Sequence, residues 1–96
     1  MKLPIPDGFF LGGLWWTVEK ESTMPAEYSH YAETIFRKER IRLGMGYSEQ
    51  RSEESFLHEV IHVISECSQA GLSEKQIGLL SYGLLSVFRQ LKEEEP

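Results

Sequence analysis

The chain has 96 residues, 41% of them hydrophobic and 26% charged, which predicts one small folded domain rather than a disordered segment. Ten basic residues against 15 acidic ones give a net charge of -5, which argues against the basic stripe of a nucleic-acid footprint. No stretch approaches the ~20 apolar residues of a membrane span, and the single cysteine, Cys67, excludes an intrachain disulfide.

These limits predict a soluble, cytoplasmic protein in a reducing compartment. The opening "MKLPIPDG" carries prolines where a secretory leader would carry its apolar run, so no leader is expected. A domain this short buries a limited core, and a metal ion or a second subunit is the expected staple.

In chain order, "GGLWWTVEK" ends in an aromatic and β-branched run that suits a pleated surface, with Trp15 and Trp16 expected in the core. "ESTMPAE" is a breaker centred on Pro25. "HYAETIF" and "RIRLG" read as two strands joined by the polar turn "RKE"; Ile41 and Leu43 alternate with Arg40 and Arg42, so one face is buried and the other wet. The basic residues of "FRKERIRLG" read as the charged edge of that hairpin. Residues 1–45 therefore predict a small three-stranded antiparallel sheet.

The remainder predicts helices. Over residues 48–69, Phe56, Leu57, Val60, Ile61 and Ile64 follow helical spacing, and Gly71 supplies a left-handed stop. Ser73 and Gln76 in "SEKQ" form a capping-box pattern. From there Ile77, Leu80, Leu84, Phe88 and Leu91 make an apolar stripe along a second helix over 73–92, and 93–96 read as a frayed tail. The short break makes the two helices antiparallel neighbours. The expected fold class is α+β, the sheet being followed by this helix pair.

The first helix contains "FLHEVIHVI". Residues four apart lie one turn above each other, so His58 and His62 can reach one zinc at the ~2.0–2.1 Å nitrogen distance that ion requires. Glu59, rotated about 100° from His58, projects beside such an ion and can act as general base on a water whose pKa zinc lowers to about 7. The competing reading is two surface histidines at the rim of a helix that buries Val60, Ile61 and Ile64.

On these residues the chain resembles the zincin metallopeptidases, whose metal helix carries H-E-x-x-H. It lacks the H-x-x-G-x-x-H continuation of the metzincins and looks like the gluzincin side, in particular short phage- and prophage-type HExxH proteins. "EKQIGLLSYGLL" is distantly similar to the glutamate helix of ImmA/IrrE-type metallopeptidases, E-x-x-A-N-x-F-A-x-x-L-L. The resemblance covers residues 30 to 92. It implies zinc, peptide-bond hydrolysis on a protein or peptide substrate, and Glu74 as third ligand. The family pattern has asparagine where this chain has Gly78, so no side chain there orients a ligand histidine.

The residues themselves leave Glu74 open. A carboxylate in a helix's first turn is favourable with the dipole whatever else it does. A helix folding straight back sets Ser81 and Tyr82 opposite His62, so Glu74 reaches the site only if the first helix ends near Glu66 or the helices cross steeply. Glu66 and His30 are further candidates near the metal, with a solvated carboxylate and a surface strand residue as their plainer readings. Tyr47 and Tyr82 are candidate oxyanion donors, or tyrosines that pack a ring and wet a hydroxyl. Cys67 is expected to be buried as an apolar-like residue. The alternative to an enzyme, with or without a homo-oligomer, is an interaction module that zinc stabilises or that binds no metal; neither reading involves nucleic acid or a membrane.

Overall fold

The computed structural model describes residues 3–21 and 32–91. Four strands, β1 (Gly8–Leu11), β2 (Leu14–Glu21), β3 (Ala32–Ile35) and β4 (Arg40–Gly44), precede two helices, α1 (Glu49–Ser68) and α2 (Glu74–Gln90). The class is α+β, as expected, but the sheet has four strands in the order β1-β2-β4-β3, and β2 pairs with β4 in parallel.

Two departures from a three-stranded antiparallel sheet have physical reasons. First, "GFFL" forms β1 because Gly12 and Gly13 both take positive φ, 64° and 81°. A two-residue hairpin turn with both central residues at positive φ matches the twist of its strands, and glycine enters it without steric cost. Second, β4 inserts between β2 and β3, so β3 becomes an edge and β4 runs alongside β2. "HYAETIF" is strand only over Ala32–Ile35; Phe36–Lys38 form a 3-10 turn that ends with Glu39 left-handed. Pro25, His30 and the tail 93–96 lie outside the described residues.

The alternation expected for β4 is present. Ile41 and Leu43 point inward with Trp16, Val18 and Ala32, while Arg42 on the outer face donates to Glu21 (Nη2–Oε2 3.0 Å) and Glu33 (Nη1–Oε1 2.8 Å), tying β2 and β3 to β4. Trp16 is buried and its indole N–H donates to the Leu11 carbonyl at 3.1 Å. Trp15, expected in the core, is half exposed and packs edge-on against Phe10 on the outer face, because consecutive strand residues face opposite sides.

Helix α1 starts at an N-cap, Ser48, whose hydroxyl accepts the Arg51 N–H. Phe56 packs on Val18, Ala32 and Leu43, and Val63 on Trp16 and Ile41, while Leu57 and Ile61 meet Ile77 and Leu85 of α2. Glu53, fully buried, accepts the Leu3 N–H at 3.0 Å and pairs with Arg89, which ties the N-terminal segment to both helices. The helix is stopped by Gln69, left-handed at φ 57°, rather than by Gly71, which takes its positive φ two residues later. Cys67, expected inside, is exposed at the end of α1, where its side chain lies beside Gly12 of the β1–β2 turn.

Ser73 and Gln76 cap α2 reciprocally, as their spacing indicates. The stripe that packs, however, is Ile77, Ser81 and Leu85; Leu80, Leu84 and Leu91 stay about half exposed and Phe88 is partly buried. Period alone could not choose between two apolar stripes on one helix. The small Ser81, whose hydroxyl bonds the Gly78 carbonyl, lets α2 approach α1 on that side. Among the described residues no helix is long and apolar enough to cross a membrane.

This phasing predicts that Leu85→Ala lowers unfolding free energy by about 2–5 kcal/mol through the cavity it leaves. Leu79→Ala, on a side chain 63% exposed, should change it by less than about 0.5 kcal/mol. Urea titrations of the two variants check the assignment.

Candidate metal centre

Helix α1 has three faces. Phe56 and Val63 meet the sheet, Leu57 and Ile61 meet α2, and His58 and His62 lie between, half buried at the seam. Their ring centroids are 5.0 Å apart with planes tilted by 58°. The rings converge: His58 Nε2 lies 3.2 Å from Glu74 Oε2, and His62 Nε2 lies 2.5 Å from Glu74 Oε1. One carboxylate thus bridges both imidazoles.

Glu74 arrives there with α1 continuing to Ser68, so an early end near Glu66 is not what brings it in. The connection doubles back on the last turn of α1. The Ala70 N–H donates to the Ser65 carbonyl at 3.0 Å, and the Leu72 N–H donates to Ser65 Oγ at 3.0 Å. By Leu72 the chain has therefore returned to the level of Ser65, and Glu74, two residues on, reaches the turn that holds the histidines. Counting residues along two ideal helices misses this return.

Glu59 sits on the sheet side of the same seam and is buried. Its Oε1 accepts a 2.6 Å hydrogen bond from Thr34 Oγ1 on edge strand β3. This partner was not anticipated, although alternation along "AETI" places Thr34 on the inward face with Ala32. Burial of a carboxylate is costly unless a donor compensates, and here Thr34 supplies one. The donor atoms of His58, Glu59 and His62 lie within 4.8 Å of one another. Two carboxylates therefore compete for the third position. Glu59 belongs to the group whose donor atoms lie together, while Glu74 stands outside it and meets each imidazole through a different oxygen.

Two imidazole nitrogens and a carboxylate make the N/O donor set that suits zinc. Ligands bound tetrahedrally at ~2.0–2.1 Å stand about 3.3 Å apart, so the 3.2 Å His58–Glu74 separation already matches. The 2.5 Å His62–Glu74 contact must open by less than about 1 Å to admit an ion. In donor type the residues present suit the group.

The site opens into a groove along α1. A hollow of about 350 Å³ between β3 and the helices is lined by Thr34, Phe36, His58, Glu59, His62 and Glu74. It adjoins one of about 380 Å³ reaching Arg51, Glu54 and Ser55. On the other side, a hollow sharing Phe36 and His62 reaches Glu66, Gln69 and Leu72. Glu66 thus borders the groove without joining the cluster. Tyr82, 64% exposed on α2, and Tyr47, on the segment before α1, line none of these hollows. His30 lies outside the described residues.

Compared with known proteins, the chain matches no family model, no curated protein and no solved structure. The case for function rests on this geometry.

Thr34→Val should destabilise the fold by about 1–3 kcal/mol, because it strips a buried carboxylate of its donor. Thr34→Ser, which keeps the hydroxyl, should cost less. Denaturant unfolding of both variants at neutral pH measures the difference, and a Thr34→Val variant as stable as wild type would show that the hydrogen bond does not matter.

Proposed function

We propose that the protein is a minimal zinc-dependent metallopeptidase of the HExxH kind. The observation that carries this reading is the convergence of His58 Nε2 and His62 Nε2 on the two oxygens of Glu74, with the Glu59 carboxylate held alongside by Thr34. His58, His62 and Glu74 would hold the ion. When bound, zinc supplies a Lewis acid for a water molecule and a substrate carbonyl.

The remaining work falls to the chain itself. Thr34 engages one Glu59 oxygen, which leaves the other to take a proton from the attacking water and deliver it to the leaving amine. Burial against β3 fixes the Glu59 rotamer, so the base needs no reorientation between those two transfers. Strand β3 lies at the end of the strand order and borders the groove, where an extended peptide can add as a further strand. From Arg51 to Gln69 the groove follows ~27 Å of helix, enough for about eight extended residues at ~3.3 Å each.

A non-enzymatic reading is supported by one feature: the three donors come from α1 and the first turn of α2, so an ion there would clamp the helices together. The groove favours the enzyme, because structural zinc sites are closed by four protein ligands while catalytic ones keep a position open.

Protein purified and then exposed to zinc should retain about one equivalent per chain, and His62→Ala and Glu74→Ala should each lose most of it. Glu59→Gln should keep the zinc and nearly the same melting temperature, since its amide oxygen still accepts from Thr34, yet abolish peptide cleavage. Equal, near-zero zinc in wild type and His62→Ala would remove the metal altogether. Zinc retained with no cleavage by wild type, across peptide libraries, would leave the clamp.

A further inference from the structure

The groove along α1 has an arm on either side of the histidines, and the two linings differ. Toward the start of α1 the wall is polar, made by Arg51, Glu54 and Ser55. Past His62 lies a hollow of about 380 Å³ that Phe36, Leu72 and the buried Ser65 line together with Glu66 and Gln69. Phe36 and His62 also line the central hollow. A side chain seated beyond His62 therefore belongs to the residue next to the bond at the candidate metal centre.

Both apolar walls of that hollow are held in place. The Phe36 ring meets Trp16 edge-on, with centroids 6.2 Å apart and planes at 84°, and still leaves 39% of the residue exposed. Leu72 packs on the cluster of Leu57, Ile61, Ile77 and Leu85, and its N–H donates to Ser65 Oγ at 3.0 Å. Walls fixed before a ligand arrives lose little freedom when it binds.

Charge narrows the occupant. Glu66 is exposed one turn beyond His62, about 6 Å along the helix, and its carboxylate has no partner among the described residues. Over its whole length the groove is lined by five carboxylates and one guanidinium, that of Arg51. A divalent cation at the histidines leaves this lining negative. An acidic side chain past His62 would be repelled, and a purely apolar one would cover the walls but gain nothing from Glu66. Lysine and arginine use both features, because the methylene stem lies on apolar surface while the cationic head stays at the wet rim beside a carboxylate.

We infer, on the peptidase reading of this groove, that it takes peptides with a lysine or arginine adjacent to the bond at the metal centre. Phe36 and Leu72 receive the stem of that side chain, and Glu66 selects its charge.

The test is binding to the metal-free chain, followed by two-dimensional amide NMR, of capped alanine peptides carrying a central lysine, norleucine or glutamate. The lysine peptide should move the signals of Phe36, Glu66 and Leu72. It should bind about 5-fold more tightly than the norleucine peptide and about 10-fold or more above the glutamate peptide. Glu66→Gln should bring lysine and norleucine together, and Glu66→Lys should place glutamate above lysine. Glu54→Lys makes the same charge change on the opposite arm and should keep the wild-type order. Circular dichroism of each variant verifies its helical content. Absent binding, equal binding of the three peptides, an order that survives Glu66→Lys, or one that reverses with Glu54→Lys instead would each overturn the inference. Zinc-loaded wild type should cut beside the lysine; if the binding order holds and no peptide is cut, the peptidase reading falls and the basic-peptide groove stands.

Discussion

The structure depends on how one helix is shared. Helix α1 packs its Phe56–Val63 side on the sheet and its Leu57–Ile61 side on α2, which leaves a single face at the junction. With about 100° between successive residues, the two apolar demands are met a quarter to a third of a turn apart, and His58 and His62 necessarily fall on what remains. Their half-buried position follows from this. They are neither sealed in apolar packing nor loose on the surface, and the same junction opens into the groove.

Two flanking groups turn this face into a site, and each is held by a separate polar contact. Ser65 captures the chain after α1 through its carbonyl and its hydroxyl, returning Glu74 to the level of the histidines. Thr34 holds Glu59 from the sheet side. The edge strand that carries Thr34 is itself anchored by Arg42, which spans Glu21 and Glu33 on the outer face. The arrangement of four side chains thus rests on three elements, β3, α1 and α2, with Glu59 and Glu74 each placed by a hydrogen-bonded contact that apolar packing alone would leave free to slide.

Much of this was legible in the residues. "RIRLG" alternates cleanly enough to give both the limits and the buried face of β4, and the capping box at Ser73 gives the start of α2. The spacing of His58 and His62 gives their common face, because four residues is close to one turn of any α-helix. Other features were present but carried a signal that was easy to pass over: the Gly-Gly pair between "GFFL" and "LWW" marks a hairpin, and alternation through "AETI" turns Thr34 toward Glu59.

What the sequence determined by itself is local. Backbone dihedral preferences, caps and side-chain period act over a few residues, so they specify helices, strands, turns and the stacking of two imidazoles on one face. Only the tertiary structure decided the parallel pairing of β2 with β4, the approach of Glu74, the Thr34–Glu59 bond and which of two apolar stripes on α2 meets α1. Each of these is a choice between arrangements of nearly equal local energy. It is settled by which packing buries the most apolar surface while giving every buried polar group a partner, a sum over the whole chain that no short window contains.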